Sequence, residues 1–233
     1  MALIKRVHQK PTDGRPPITY RIQVVDEPFF KEAANFMIEN FLPTENICSS
    51  IGLLSENGGI ESARVFWEKQ VSKGISLAAF LEDKDGGRGK MISCNVLEVE
   101  RKNQEDESMK TIELSDKWNK IIQTMEETEA KADVYALYNC EAFVHAYGLS
   151  VMADFERRGI GAEMLMARAE ICKQLDTPVS ATVFTGSASQ RLAERCGYET
   201  IAELDITTYR IDGQIVYPKP KWPVIKWMAK RYF

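Results

Sequence analysis

A chain of 233 residues, 44% apolar and 27% charged, has the composition of a globular protein with a substantial core and the length of one large domain. Its formal net charge of −4 argues against a nucleic-acid surface, which needs clustered Lys and Arg. Five cysteines, an odd number with no C-x-x-C spacing, point to neither a disulfide framework nor a zinc site, so a reducing, cytoplasmic setting is expected.

Met1 to Lys10 carries no signal-like apolar stretch. Pro11, Pro16 and Pro17 disfavour regular structure, so residues 1–17 are expected to be a flexible lead-in and 18–233 a single domain. Ile18 to Val25 reads as a strand, and Asp26 opens a helix carrying Phe29, Ala33, Phe36 and Met37 that stops before Pro43. A second helix spans about Gly59 to Lys73. Ile75 to Leu81 and Lys90 to Val99 flank the turn Asp83-Lys84-Asp85-Gly86-Gly87, a hairpin signal. The longest apolar run, Leu77 to Leu81, is far short of the ~20 residues of a membrane span.

The charged stretch Glu98 to Lys110 predicts a solvated loop, followed by a helix from Ser115 to about Lys131. Glu141 to Met152 reads as a long strand. Gly159 to Leu175 is an amphipathic helix with Ile160, Met164, Ala167, Ile171 and Leu175 on one stripe. Val179 to Phe184 is a buried strand, Ser187 to Cys196 a helix, and Glu199 to Tyr209 and Gln214 to Val216 the last strands. The order describes an α/β (α+β) fold, a mixed sheet of about seven strands flanked by helices, without strict strand–helix alternation.

The most informative segment is Leu149-Ser150-Val151-Met152-Ala153-Asp154-Phe155-Glu156-Arg157-Arg158-Gly159-Ile160-Gly161-Ala162. A strand ends, a turn carries two arginines, and small residues open a long helix. Its first turn leaves amide donors unpartnered and its dipole favours an anion. Gly159 and Gly161 let a ligand approach the backbone closely. A diphosphate can take these amides, with Arg157 and Arg158 adding charge. The competing interpretation is a glycine-rich helix start that serves packing alone.

Glu156-Arg157-Arg158-Gly159-Ile160-Gly161 resembles motif A of the GNAT acetyltransferase superfamily, Gln/Arg-x-x-Gly-x-Gly/Ala, with Glu at the first position as a departure. Phe41-Leu42-Pro43-Thr44-Glu45-Asn46-Ile47, Thr185-Gly186-Ser187-Ala188-Ser189 through Gly197-Tyr198, and Pro218-Lys219-Pro220 through Lys230 resemble segments of the insect-type arylalkylamine N-acetyltransferases. Asn46 stands where that family usually has proline, and Thr185 where Ser is frequent. The resemblance runs from about residue 20 onward and is patchy before residue 140.

It implies the GNAT fold, acetyl-CoA as co-substrate, a small amine as acceptor and no metal. Leu149, Ser150 and Val151 would pair with the pantetheine arm. Arg157, Arg158, Gly159, Ile160, Gly161 and Ala162 would hold the diphosphate. An alkylammonium with a pKa of about 10 must lose a proton before it attacks a thioester. The resemblance assigns that base to Glu45, whose alternative is a helix cap or solvated carboxylate. His145 is the rival base, with the intrinsic pKa of a proton shuttle, against the plainer role of a hydrogen-bonded strand residue.

The acid tyrosine used by many superfamily members aligns with Ala193. Ser189, supported by Thr185, is the substitute donor to the departing thiolate, unless Ser187 is only an N-cap and Ser189 a surface hydroxyl. The oxyanion donor falls to the amide of Val151 or Met152. Phe29, Phe36, Phe41, Tyr138 and Phe143 are candidate aromatic walls, and the cysteines are read as packing residues. Trp222 and Trp227 fit a last helix or strand packed on the body. A monomer that binds neither nucleic acid nor membrane is expected. The competing functions are a non-catalytic CoA or acyl-CoA sensor and an acetyltransferase for polyamines or peptide amines.

Overall fold

The computed structural model describes residues 3–11, 14–104 and 113–233. In chain order it forms strands β1 (Leu3–Gln9) and β2 (Ile18–Val24), then helices α1 (Phe30–Asn40), α2 (Asn46–Ile51) and α3 (Gly59–Ser72). Strands β3 (Leu77–Glu82) and β4 (Arg88–Arg101) precede helices α4 (Asp116–Glu129) and α5 (Val134–Tyr138) and strand β5 (Ala142–Val151). Helix α6 (Ile160–Gln174), strand β6 (Val179–Phe184), helix α7 (Ser187–Arg195) and strand β7 (Glu199–Asp205) follow. The short pair β8 (Arg210–Ile211) and β9 (Gln214–Ile215) leads to β10 (Val224–Arg231).

Eight strands form one mixed sheet in the order β1-β2-β3-β4-β5-β6-β10-β7, one more than the sequence predicts. Neighbours are antiparallel except β5 and β6. Helices cover both faces. On β3, Ala78 and Phe80 face the layer of α1, α3 and α4, while Leu77 and Ala79 face the layer of α6. A strand buried on both sides reads as a continuous apolar run, which accounts for Leu77 to Leu81. Among the described residues, no helix is long and apolar enough to cross a membrane.

Local chemistry sets the element ends. The Asp83 carboxylate accepts the amides of Asp85 and Gly87 and closes the β3–β4 turn. The Ser115 hydroxyl accepts the Trp118 amide and caps α4. Gly159 precedes α6 with φ of 78°, a left-handed conformation that side chains disfavour.

Three expectations are corrected. Residues 3–9 are not a flexible lead-in: β1 pairs with β2, and Ile4 and Val7 pack against the layer containing Ile160 and Met164. Lys5, Arg6 and His8 hide that strand in the sequence, because an edge strand keeps polar side chains in water. Glu98 to Arg101 belong to β4 rather than to a loop; of the rest of that predicted loop, residues 105–112 lie outside the described residues. The last long strand is β10, inserted between β6 and β7, with Trp227 buried in it.

Candidate active site

The site begins where two strands part. Among the described residues, β5 and β6 pair only at Val144–Ser180 and His145–Ala181. Beyond that point β5 follows β4 to Val151 and β6 follows β10 to Phe184. The inner edges of the opening therefore carry backbone groups that the sheet does not satisfy. The Met152 amide donates to the Ile92 carbonyl at 2.9 Å. By the alternation of an antiparallel ladder, Ser150 and Met152 turn their backbone groups to β4, and Leu149 and Val151 turn theirs to the opening. Met152 is thereby removed as an oxyanion donor and Val151 retained. Ser150 is held from the β4 side, its carbonyl accepting the Ser93 hydroxyl at 2.7 Å.

A cavity of about 940 Å³ continues from the opening, lined by Leu149, Thr182, Thr185, Ser189 and Leu192 on the strand side. Its walls include Phe41, Phe66, Trp67, Trp118, Tyr135 and Tyr147. Of the aromatic walls proposed from sequence, Phe41 lines the cavity; Phe29, Phe36, Tyr138 and Phe143 do not. Phe66 and Trp67 sit on α3 and Trp118 on α4, at helical spacings that read equally well as core.

Glu45 is 7% exposed and borders the cavity. One carboxylate oxygen accepts the Cys48 amide at 2.7 Å and caps α2; the other accepts the Thr185 hydroxyl at 2.5 Å. Both interpretations of Glu45 thus meet in one side chain, a helix cap that also faces the cavity. Asn46 fixes this arrangement: its amide nitrogen donates to the carbonyls of Thr185 and Trp222 at 3.0 and 2.9 Å, and its oxygen accepts the Trp222 amide at 3.0 Å. Ser189 donates to the Gly186 carbonyl at 2.8 Å from the cavity wall. Ser187 does not cap α7; Gly186 holds the cap position.

His145 is buried between two carboxylates. Its Nδ1 meets Glu100 and its Nε2 lies 3.3 Å from Glu129, while Tyr147 donates to Glu100 at 3.1 Å. Burial alone would favour the neutral ring, but the two carboxylates outweigh it and hold the His145 pKa well above 6.5. An imidazole kept protonated has no lone pair to offer, so His145 is corrected from rival base to a structural cation. Glu100, despite burial, is held below the ordinary carboxylate range by that imidazolium and by bonds from His145 and Tyr147. The trio is compact enough for a metal ion, yet each contact is already that of an ion pair.

Glu126 also lines the cavity, and burial together with the Glu129 charge pushes its pKa up. The amide oxygen of Gln70 and the indole nitrogen of Trp118, both in the wall, are buried without hydrogen-bond partners. Sequence reasoning missed Arg168, which is 1% exposed and without a carboxylate partner among the described residues. It donates to Asn95 at 2.8 Å and Thr182 at 2.8 Å, and Asn95 in turn donates to the Gly148 carbonyl at 2.8 Å. The chain β6–Arg168–β4–β5 braces the base of the opening. An arginine beside the apolar stripe of α6 was its only signal.

At the mouth of α6, Gly159 and Arg157 are exposed, and the amides of residues 157–162 have no acceptor among the described residues. Arg158 points elsewhere: its guanidinium is buried and donates to the Pro16 carbonyl at 2.9 Å. The Ile160 side chain is likewise in the core, so it offers the site its amide alone. Gly161 faces α7, where an added Cβ would meet Leu192 at 3.1 Å. The described cysteines are free thiols. Cys48 lies in the cavity wall, where burial and then Glu45 push its pKa well up, so it is a poor nucleophile.

No protein-family profile matches the sequence, and no curated protein is similar to it at a significant level. Solved structures are. A protein named insect arylalkylamine N-acetyltransferase 7, from the yellow fever mosquito Aedes aegypti, superposes with a TM-score of 0.87 at 26% identity over 99% of this chain and 94% of that one. Arylalkylamine N-acetyltransferase 2 of Aedes aegypti gives 0.75 at 17% identity over 91% and 98%. A Drosophila melanogaster polyamine N-acetyltransferase that forms N-acetylagmatine gives 0.75 at 18% over 91% and 100%. The parted strands, the helix opening at Gly159 and the eight-stranded sheet are those of the GNAT acetyltransferase fold, in the form seen in insect arylalkylamine N-acetyltransferases.

Proposed function

We propose that this protein is an acetyl-CoA-dependent N-acetyltransferase that acetylates small primary amines of the arylalkylamine type, working as a monomer in the cytoplasm. The observation that carries the reading is the opening between β5 and β6, which leads directly to a buried carboxylate, Glu45, held by Thr185. The likeness to insect arylalkylamine N-acetyltransferases supports it.

The residues fit the donor. Free amides at the start of α6 suit a diphosphate, and the unpaired edges at Leu149 and Val151 suit the amides of a pantetheine arm. Acetyl-CoA supplies the acetyl group as an activated thioester. Glu45 takes the proton that the ammonium must lose, directly or through a water molecule, while its bonds to Cys48 and Thr185 fix where its lone pairs point. The Val151 amide faces the place where negative charge develops on the acetyl oxygen. Ser189 and Thr185, hydroxyls at the end of β6, offer protons toward the departing sulfur; Arg157 and the α6 amides anchor the far end of the donor. Free cysteines fit a reducing compartment.

A second reading rests on Glu126 and the unpartnered Gln70: a cavity wall with a spare carboxylate and a spare acceptor suits an amine carrying a second cationic group, a diamine or guanidino-amine. Thiol release from acetyl-CoA across aryl-ethylamines, diamines and guanidino-amines tests both. Fastest release with aryl-ethylamines supports the main reading, and fastest release with the dications supports the second. Binding of CoA with no amine-dependent thiol release would make the protein a sensor, and turnover confined to peptides would refute both amine classes.

A further inference from the structure

The inference concerns β1 and the residues after it, and rests on the reading of the α6 mouth as the diphosphate site. Residues 9–16 touch the loop 156–158 at successive points. Arg15 donates from its guanidinium to the Glu156 carbonyl at 2.8 Å, and the Gln9 amide donates to the Arg158 carbonyl. Arg158 returns a bond to the Pro16 carbonyl at 2.9 Å. Below them Lys5 pairs with Glu163, in the first turn of α6, at 2.6 Å.

Which carbonyls are held matters. In a trans peptide the C=O of one residue and the N–H of the next point in opposite directions. A carbonyl of Glu156 tied to Arg15 sends the Arg157 amide the other way, and a carbonyl of Arg158 tied to Gln9 does the same for the Gly159 amide. Arg157 holds a left-handed backbone with φ of 59°, uncommon for a residue with a side chain, so the loop needs such outside support to keep its shape. Both freed amides belong to the set without acceptors at the helix mouth.

We propose that Gln9 and Arg15 are positioning residues for the acyl donor: by holding the carbonyls of Glu156 and Arg158 they aim the amides of Arg157 and Gly159 at the diphosphate. The segment before β2 is on this account part of the coenzyme site, although it contacts no reacting atom. Its effect is confined to donors that carry phosphate.

The test compares two acetyl donors, acetyl-CoA and S-acetylpantetheine, which lacks the nucleotide and both phosphates of the bridge. Gln9→Ala and Arg15→Ala should each raise KM for acetyl-CoA several-fold, and the double variant roughly tenfold, the scale of one or two hydrogen bonds. Values of kcat should hold, and kcat/KM with S-acetylpantetheine should stay within twofold. Arg15→Lys, which keeps a donor, should recover part of the loss. Equal losses with both donors would mean general damage to the fold and overturn the proposal, as would no loss with either. A loss in Arg15→Ala but none in Gln9→Ala would assign the effect to the Arg15 charge and overturn it too. Wild-type protein that binds no CoA would remove the reading beneath the proposal, an outcome visible before any variant is made.

Discussion

At the scale of single residues, Glu45 combines two duties that substitution separates. Glu45→Gln keeps an oxygen that can accept the Cys48 amide, so the α2 cap survives while the base is lost. We expect kcat/KM to fall on the order of 10²–10⁴-fold with the melting temperature little changed. Glu45→Ala removes the cap as well, and should add about 1 kcal/mol of destabilisation by chemical denaturation. Activity within tenfold of wild type in Glu45→Gln would place the base elsewhere. His145 makes the opposite kind of contribution. Its native pKa is raised above the unfolded value near 6.5, so the stability it brings is complete below that pH and disappears as pH climbs through the raised native value. The melting-temperature gap between wild type and His145→Gln should therefore be widest at about pH 6 and narrow on the alkaline side. A gap that widens there would show the ring to be neutral in the native protein.

At the scale of elements, the short helix α2 is held to the end of β6 and to Trp222 by one side chain. Asn46 is the first residue of α2, where proline is well tolerated. Asn46→Pro should preserve the helix but lose the bonds to Thr185 and Trp222, at a cost of roughly 2–3 kcal/mol measured by urea unfolding. An unchanged urea midpoint would show the bonds to be dispensable. This element also marks the limit of what the sequence discloses. Long periodic segments announced themselves: the stripe from Ile160 to Leu175 is α6, and Val179 to Phe184 is β6 residue for residue. Glu45 and Thr185 were both named, but nothing local says that residues 140 positions apart share a hydrogen bond. The cavity walls were poorly placed for a related reason. Phe66, Trp67 and Trp118 form edge-to-face contacts like any core aromatics, and only the parting of β5 from β6 turns one side of that cluster toward a ligand. Arg158 shows the converse, a charge aimed inward because β1 and the turn after it supply a carbonyl that no motif reveals.

At the scale of the molecule, the sheet has a gap in its hydrogen bonding that a bound donor would close. A ligand that binds the native state alone stabilises it by about 2.7 kcal/mol at a concentration one hundred times its Kd. Saturating CoA should accordingly raise the melting temperature by several degrees, and amide exchange should slow at Leu149 and Val151 more than at Ser150, whose backbone already faces β4. Uniform slowing along all of β5 would point to global tightening instead. The other side of that gap depends on β10, which lies between β6 and β7. Synthesis proceeds from the amino end, so β6 and β7 emerge from the ribosome with bare edges and stay that way until residues 224–231 have followed. Until then β6 has no lasting partner along the stretch from Thr182 to Phe184, and the nascent chain exposes strands prone to pairing with other chains. Coenzyme capture must wait for that late insertion, which makes the tail segment the step that admits the newborn polypeptide to its working state.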